Sequence, residues 1–230
     1  MPTVKKVAIL QSNYIPWKGY FDLVAAVDEF ILYDDVQFTK NDWRNRNRIK
    51  TPHGVQWITI PVGQHIHRCI CDVRVGSGWQ PRHWKTLEAN YRRSPHFDEI
   101  SSWLAPLYLD ESHDMLSALN RHFIVEICAW LGISTRITCS QAYRSFGGGT
   151  QRLVDLCAQA GATAYVSGPA ARAYIDPAAF ERAGIALQWF DYQGYPEYPQ
   201  AWGAFDHYVT ILDLLFNCGR DAPRYMRYVA

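Results

Sequence analysis

Short apolar runs alternate with amphipathic stretches along the chain, and the first thirty-odd residues show the pattern most clearly. Residues 7–10 form a continuous apolar run that ends in polar residues, which is typical of a buried strand. Apolar side chains then recur at helical spacing over 17–27, and a second apolar run follows at 29–33. A strand, a helix and another strand in close succession predict a parallel βαβ unit.

The same rhythm continues to the end of the chain. Further strands are predicted at 56–62, 70–75, 135–139, 164–167 and 185–192, and helices at 84–91, 100–107, 115–131, 151–160, 209–216 and 223–228. The pattern predicts a single α/β domain over 1–230 with a Rossmann-like, mainly parallel sheet, mixed strands at its edge and an inserted helical layer. If the chain divides into lobes, 1–75 and 135–230 supply the sheet and 76–134 supplies the helical insertion.

Composition narrows the class of protein. Hydrophobic residues make up 48% and charged residues 20% of the 230 residues, as in folded globular proteins. A net charge of +1 gives no overall basic field that would attract nucleic acid or anionic lipid. No apolar run approaches the ~20 residues of a transmembrane helix, and the run after residues 1–6 is too short for a signal peptide. We therefore expect a cytoplasmic protein that is not held in a membrane, with its six cysteines reduced.

Polar segments follow both strands of the first βαβ unit, where parallel sheets usually bind ligands. The first segment, 11–21, runs from strand to helix, so its backbone N–H groups suit a phosphate or carboxylate. Gln11, Asn13 and Lys18 could add donors to such a site. In the competing interpretation, Pro16 only organises the start of the helix, and Trp17 and its aromatic neighbours pack in the core.

The second polar segment contains two adjacent carboxylates, Asp34 and Asp35, with Gln37 close behind. Because successive side chains of a strand point to opposite faces, only one carboxylate is expected to enter the site, and Asp35 is slightly preferred. A carboxylate here could act as a general base, bind Mg²⁺ or hold a substrate hydroxyl or amine. The alternative is a turn or helix cap, where Asp is also favoured.

The third segment, 43–47, places two guanidinium groups and two amides beside a tryptophan. Arginine matches phosphates and carboxylates with two parallel hydrogen bonds, so the segment favours recognition over an exposed polar loop. The candidate binding residues of this segment are Trp43, Arg44, Asn45 and Arg46. A fourth candidate position is Ser167 with Gly168, directly after the strand predicted at 164–167.

His65, His67, Cys69 and Cys71 alternate along the chain. On a continuous strand they would share one face but lie too far apart for the tetrahedron that zinc requires. We therefore predict a half-exposed strand and no metal site. The chain around Ser167 also lacks the Gly-x-Ser-x-Gly turn of many hydrolases, so hydrolase activity is not expected.

The opening of the chain resembles the WbqC-like protein family. The resemblance is carried by Gln-Ser-Asn-Tyr-Ile-Pro-Trp-Lys-Gly-Tyr-Phe at 11–21, Asp-Asp-Val-Gln-Phe at 34–38 and Trp-Arg-Asn-Arg-Asn at 43–47. It continues at 57–62, 165–168 and 211–217. The usual Gln-Pro-Asn opening reads Gln-Ser-Asn here, which keeps Gln11 and Asn13 in place.

The resemblance implies a transferase that forms an amide on the amino group of a nucleotide-linked sugar, by acyl or aminoacyl (for example glycyl) transfer. Such chemistry belongs to surface-polysaccharide biosynthesis, including that of O-antigen. The expected partners are a nucleotide sugar and an activated acyl donor, and no cofactor is expected. Within this hypothesis the residues themselves suggest the roles. Tyr14 and Trp43 would stack on the base or sugar, and Asp35 would accept the proton from the attacking amine. The phosphates would be held by Lys18, Arg44 and Arg46.

Two alternatives stay open. One is a non-catalytic module that binds a nucleotide or a nucleotide sugar. The other is an aminoacyl-tRNA-dependent transferase, which would need a local basic patch near residues 44–50 and would bind RNA in a salt-sensitive way.

Overall fold

A computed structural model describes residues 4–65, 67–145 and 147–229 of the chain. The strands are β1 (Lys6–Leu10), β2 (Glu29–Leu32), β3 (Arg46–Thr51), β4 (Gly54–Thr59), β5 (Arg136–Cys139), β6 (Ala164–Ser167) and β7 (Ala186–Trp189). Five of them form a parallel sheet in the order β5-β2-β1-β6-β7. The predicted Rossmann-like α/β fold is confirmed.

Helices flank the sheet on both faces. Over the described ranges they are α1 (Lys18–Ala25), α2 (Gln80–Tyr91), α3 (Phe97–Leu109), α4 (Leu116–Trp130), α5 (Gly149–Gln159), α6 (Pro177–Arg182) and α7 (Ile211–Cys218). None of these helices is long and apolar enough to cross a lipid bilayer.

Side-chain alternation along the strands separates two hydrophobic cores. Val7 and Ile9 of β1 pack with α5 and α6 on one face of the sheet. Ala8 of β1 and Phe30 of β2 face the other way, into a larger core with α1, α7 and the helices α2 to α4. The helical layer therefore covers one face of the sheet, and α5 and α6 cover the other. Both faces need cover because alternate side chains of each strand point to opposite faces.

The chain connections reverse direction at the middle of the sheet. From β1 the chain passes through α1 to β2 on one side, whereas from β6 it passes through α6 to β7 on the other side. The gap between the carboxyl ends of β1 and β6 is thus the topological switch point. Ligands of open α/β sheets bind characteristically at such a point.

Two segments differ from the sequence-based expectation. The polar residues Arg46–Thr51 form β3, which pairs with β4 as an antiparallel two-stranded sheet of its own rather than at the edge of the parallel sheet. The strand predicted at 70–75 is wrong, because Ile70–Asp72 is a 3-10 helix whose Ile70 is buried beside the helical layer. The terminal helix predicted at 223–228 is also displaced, since a 3-10 helix occupies Gly219–Tyr225.

Candidate functional site

The loop between β1 and α1 is held in a strained conformation. Ile15 is buried and has φ of 38°, in the left-handed region that a β-branched side chain rarely adopts. The Asn47 amide donates to the carbonyl oxygens of Tyr14 and Ile15 at 3.0 and 2.7 Å, and the Thr210 hydroxyl donates to Ile15 O at 2.7 Å. Such strain costs about 1–3 kcal/mol and persists only where its surroundings impose it. These three bonds impose it here.

A buried polar network fixes the start of the same loop. The backbone N–H of Ser12 donates to Asp34 Oδ1 at 2.8 Å, and the Asn120 amide donates to Ser12 Oγ at 3.1 Å. The guanidinium of Arg44 donates to Ser12 O at 3.3 Å and to Asn13 Oδ1. Since all of these groups are buried or half-buried, the loop presents one rigid backbone to whatever binds along the sheet edge.

The switch-point cleft opens between the carboxyl ends of β1 and β6 and has a volume of about 350 Å³. Gln11 lines it from β1, Ser167 and Gly168 line it from β6, and Tyr33 lines it from the end of β2. The N-terminus of α5 reaches it through Gly149. Three of the predicted binding residues therefore meet at the position where the topology favours a ligand.

A second cleft, here called the carboxylate cleft, lies between the ends of β2 and β5 and helix α4, with a volume of about 480 Å³. Its polar lining includes Asp34, Arg121, Cys139 and His122. Burial raises the pKa of Asp34, while the hydrogen bonds from Ser12 and the charge of Arg44 oppose that shift. Burial also raises the pKa of Cys139, so its thiol is protonated and weakly nucleophilic at neutral pH.

A third, smaller cleft is aromatic. It measures about 190 Å³ and is lined by Asn13, Pro16, Trp17, Trp43, Asn47 and Tyr208. Beside it, the rings of Trp43 and Trp57 lie 5.1 Å apart between centroids, and the Arg46 guanidinium sits 4.1 Å from the Trp57 centroid. Aromatic faces of this kind can stack on a base or sugar. Asn13, Trp17 and Trp43 line this cleft together, whereas Arg46 lies over the neighbouring Trp57.

Asp35 is engaged with other side chains. Its carboxylate forms an ion pair with Arg152 and accepts a hydrogen bond from Ser140 Oγ at 2.6 Å. Asp34 lines a cleft instead, so the two carboxylates, both beyond the end of β2, face different surroundings. The proton-accepting role of Asp35 stays a prediction, but both of its oxygens already have partners.

Burial corrects three of the predicted binding roles. Tyr14 is fully buried, with its hydroxyl 2.9 Å from His83 Nδ1 and 2.6 Å from the Tyr108 hydroxyl, so it cannot stack on a ligand. Lys18 is also buried: its Nζ donates to Pro196 O at 2.9 Å, and burial lowers its pKa to about 8. Arg44 holds the loop backbone as described above. None of the three offers its charge or ring to a phosphate or a base.

Asn45 and Gln37 occupy supporting positions. The Asn45 amide is buried and donates to Ile60 O at 2.9 Å. Gln37 forms an isolated β-bridge with Cys69, and its Nε2 donates to Phe38 O at 3.2 Å. Neither residue lines one of the three clefts in the parts of the chain that the structure covers.

Sequence reasoning missed several residues that position the loop. Asn120 interrupts the apolar face of α4 and is fully buried, a pattern that signals a specific hydrogen-bonding role. Thr210 both caps α7 and holds Ile15. Arg152 carried no signal, because its pairing with Asp35 joins residues 117 positions apart.

Of the candidate metal ligands, His65 and His67 are exposed, and Cys69 and Cys71 are half-buried free thiols. No metal-ligating cluster within residues 4–65, 67–145 and 147–229 includes any of them. A different trio of side chains does converge: Glu111, His113 and His122.

The doubly wound sheet, with its clefts along the carboxyl edge, defines a Rossmann-like α/β protein. Residues 11–225 match the model of the WbqC-like protein family, and the chain belongs to that family. It is similar to the uncharacterised protein Rv1507c of Mycobacterium tuberculosis (strain ATCC 25618 / H37Rv), with 56% identity over 231 residues that cover 98% of this chain and 99% of the relative. No solved structure matches the chain significantly. The resemblance carried by the opening motifs is thereby confirmed.

Proposed function

We propose that the chain is a transferase that binds a nucleotide-linked amino sugar at the carboxyl edge of its sheet and forms an amide on the sugar's amino group. The observation that carries this proposal is the cleft of about 350 Å³ at the switch point between β1 and β6. Its size and position suit a nucleotide. The amide chemistry and the sugar acceptor come from what the family resemblance implies.

The lining of the switch-point cleft fits a phosphorylated ligand. Helix α5 begins at Gly149 after two further glycines, so its first backbone N–H groups can approach a phosphate closely. Gln11 and Ser167 add polar side chains, and the exposed ring of Tyr174 offers a stacking surface. The phosphates would lie against the start of α5, and the base would stack on the ring of Tyr174.

The carboxylate cleft supports the chemical step. In amide formation the neutral amine attacks the acyl carbon, the new C–N bond replaces the bond to the donor's leaving group, and the nitrogen loses a proton. Asp34 is suited to take that proton, because burial raises its pKa toward neutrality. Burial also raises the pKa of Cys139, which favours direct transfer over a covalent thioester intermediate.

The end of β2 joins the two clefts. Tyr33 and Val36 line the switch-point cleft, while Asp34, between them in sequence, lines the carboxylate cleft. An amino sugar bound in one cleft and an acyl donor bound in the other would therefore both contact this short segment. Asp34 then takes the role that sequence alone assigned, by a slight preference, to Asp35.

The test measures binding and turnover separately. Calorimetry with a panel of nucleotide amino sugars should detect binding to the intact chain, and Gly168→Val should abolish it by filling the cleft. The backbone of Gly168 is not in the left-handed region, and a Cβ at this position would meet only the Tyr192 ring and its hydroxyl, at 3.6 Å, so the variant should fold. Mass spectrometry with acyl-thioester and aminoacyl donors should then detect a new amide.

Removal of a general base typically costs ~10²–10⁴-fold in turnover. Asp34→Asn should lose at least about a hundredfold while retaining nucleotide-sugar binding. Asp98→Asn, an exposed carboxylate in the first turn of α3, is the matched control and should keep full turnover. Turnover of Asp34→Asn within about threefold of the parent would refute the role of Asp34. Binding without turnover by any donor would favour the non-catalytic module.

Few exposed basic side chains support the tRNA-dependent alternative. Of the basic residues at 44–50, Arg44 and Lys50 are buried, and the Lys50 ammonium donates to Ala204 O. Arg46 and Arg48 remain, each within 6 Å of the Trp57 ring centroid. Salt-sensitive RNA binding that Arg46→Ala abolishes would favour this alternative over a free nucleotide-sugar substrate.

A further inference from the structure

Three metal-ligating side chains converge at the wall of the carboxylate cleft. The ligand atoms of Glu111, His113 and His122 all lie within 4.8 Å of one another. His122 Nε2 is 3.3 Å and His113 Nε2 is 3.8 Å from the same oxygen, Glu111 Oε2. Both histidines line the cleft that also contains Asp34.

These separations are close to those of a metal-bound set. Ligand atoms at ~2.1 Å from a tetrahedral Zn²⁺ lie ~3.4 Å apart, so the Glu111 to His122 distance already fits and the Glu111 to His113 distance needs a few tenths of an ångström. The ligand atoms of the two histidines, which lie within 4.8 Å of each other, would approach by up to ~1.4 Å. Both Nε2 atoms are buried, and neither makes a hydrogen bond within the described residues. Buried ring nitrogens without a hydrogen bond are uncommon in native proteins, so a water molecule or an ion beside Glu111 would complete the contacts of both rings.

Backbone contacts fix the chain that carries His113 and His122. His113 precedes α4, and the chain there is fixed by an isolated β-bridge between Arg74 and Met115 and by the Val75 N–H, which donates to Asp114 O at 2.8 Å. His122 lies two turns into α4, so its ring is carried by a regular helix. His122 is therefore held by a helix and His113 by the backbone contacts that follow it, whereas Glu111 lies on the loop between α3 and α4.

We propose that Glu111, His113 and His122 bind one divalent transition-metal ion, with an open coordination position facing the carboxylate cleft. Two imidazoles and a carboxylate are the donor set of many such sites with an exchangeable position, and they disfavour Mg²⁺, which prefers oxygen ligands. Binding of the ion stands independently of the proposed function. Any role of the ion in polarising an acyl carbonyl rests on that function.

The first test measures metal content. The intact chain is incubated with ZnCl₂, dialysed against metal-free buffer and analysed by inductively coupled plasma mass spectrometry; about one zinc per chain should remain. Loss of an outer-shell partner alone weakens metal binding by ~10–100-fold, so removal of a ligand in His113→Ala or His122→Ala should weaken it by at least as much. The matched control is His53→Ala, an exposed histidine, which should retain zinc like the parent.

A further variant controls for the possibility that the histidine substitutions disturb folding. Glu111→Gln changes an exposed side chain, so it should fold normally and still weaken zinc binding by about tenfold or more. Substitution with Co²⁺ should give the visible absorption of a four- or five-coordinate site in the parent and not in the histidine variants. Mg²⁺ should not be retained.

The outcomes separate this proposal from the proposed function. No retained zinc in the parent, or equal retention in all variants, would overturn the metal site whatever the enzymatic result. Zinc that depends on the trio, together with no amide product from any donor, would leave the site standing and remove the transferase. Asp34→Asn should retain zinc, because Asp34 is not one of the ligands.

Discussion

Protonation of His83 links the pH of the solution to the stability of the protein around the loop between β1 and α1. Its ring is buried between Tyr14 and the backbone of β4, with Nε2 3.2 Å from Thr59 O and Nδ1 2.9 Å from the Tyr14 hydroxyl. Because a carbonyl oxygen can only accept, Nε2 carries the proton and Nδ1 accepts from Tyr14. Tyr108 then donates to Tyr14, and the ring is neutral. Burial lowers the pKa of His83 to about 4.

The pKa shift sets the size and sign of the effect. The unfolded chain has a histidine pKa of about 6.5, so between pH 6.5 and pH 4 the unfolded state binds more protons than the folded state. The stabilisation is therefore complete above pH 6.5 and is lost as the pH falls toward 4. From pH 7.5 to pH 5 this one group should remove about 2 kcal/mol from the free energy of unfolding.

Urea denaturation at several pH values between 7.5 and 5 tests the calculation. His83→Gln keeps a polar side chain at the position and cannot titrate, so the parent should lose about 2 kcal/mol more than the variant over this range. Other titrating groups cancel in the comparison. Parallel stability profiles of parent and variant would refute the reasoning, and so would an equal response in His53→Gln, whose ring is exposed.

Two further predictions concern the loop between β1 and α1 and the buried side chain of Lys18. Asn47→Ala removes the donor to the buried carbonyl of Tyr14, at ~1–3 kcal/mol for an unsatisfied group, and one of the two donors to Ile15 O, at ~0.5–1.5 kcal/mol because Thr210 remains. Urea denaturation should therefore show a loss of roughly 1.5–4.5 kcal/mol. The half-buried control Asn90→Ala should lose less than about 1.5 kcal/mol, and equal losses would contradict the clamping role. Since the pKa of Lys18 is lowered to about 8, below that of the unfolded chain, the parent should gain stability from pH 7.5 to pH 10. Lys18→Met should lack that gain, and a matching gain would exclude Lys18 as its source.

Most of the parallel sheet could be predicted from the sequence, because each buried strand combines an apolar run with a polar end. The strand predicted at 164–167 matches β6 at both ends. Strand β3 could not be predicted, because Arg46–Thr51 is mostly polar and its buried Asn47 is satisfied by carbonyls more than thirty positions away. The local pattern of polar and apolar residues does not indicate hydrogen-bond partners that lie so far away along the chain.

Sequence indicated which segments carry the candidate residues, but not which way their side chains point. The segments at 11–13, 34–35, 43–47 and 167–168 do lie at or near the carboxyl edge of the sheet. Sequence could not show that Tyr14, Lys18 and Arg44 point inward, because the groups that bind them belong to distant parts of the chain. Helices α2 and α3 supply the partners of Tyr14, the loop around Pro196 supplies that of Lys18, and the segment after β1 supplies those of Arg44.

The fixed backbone at residues 11–13 has a consequence for ligand size. Gln11 lines the switch-point cleft and Asn13 lines the aromatic cleft, with Ser12 immobilised between them by Asp34 and Asn120. Two residue steps span at most about 7 Å between Cα atoms. A molecule that engages both side chains must bridge that interval, and the loop cannot stretch to accommodate one that is too short. For any ligand that contacts both side chains, the fixed spacing of this loop therefore restricts the ligand's length.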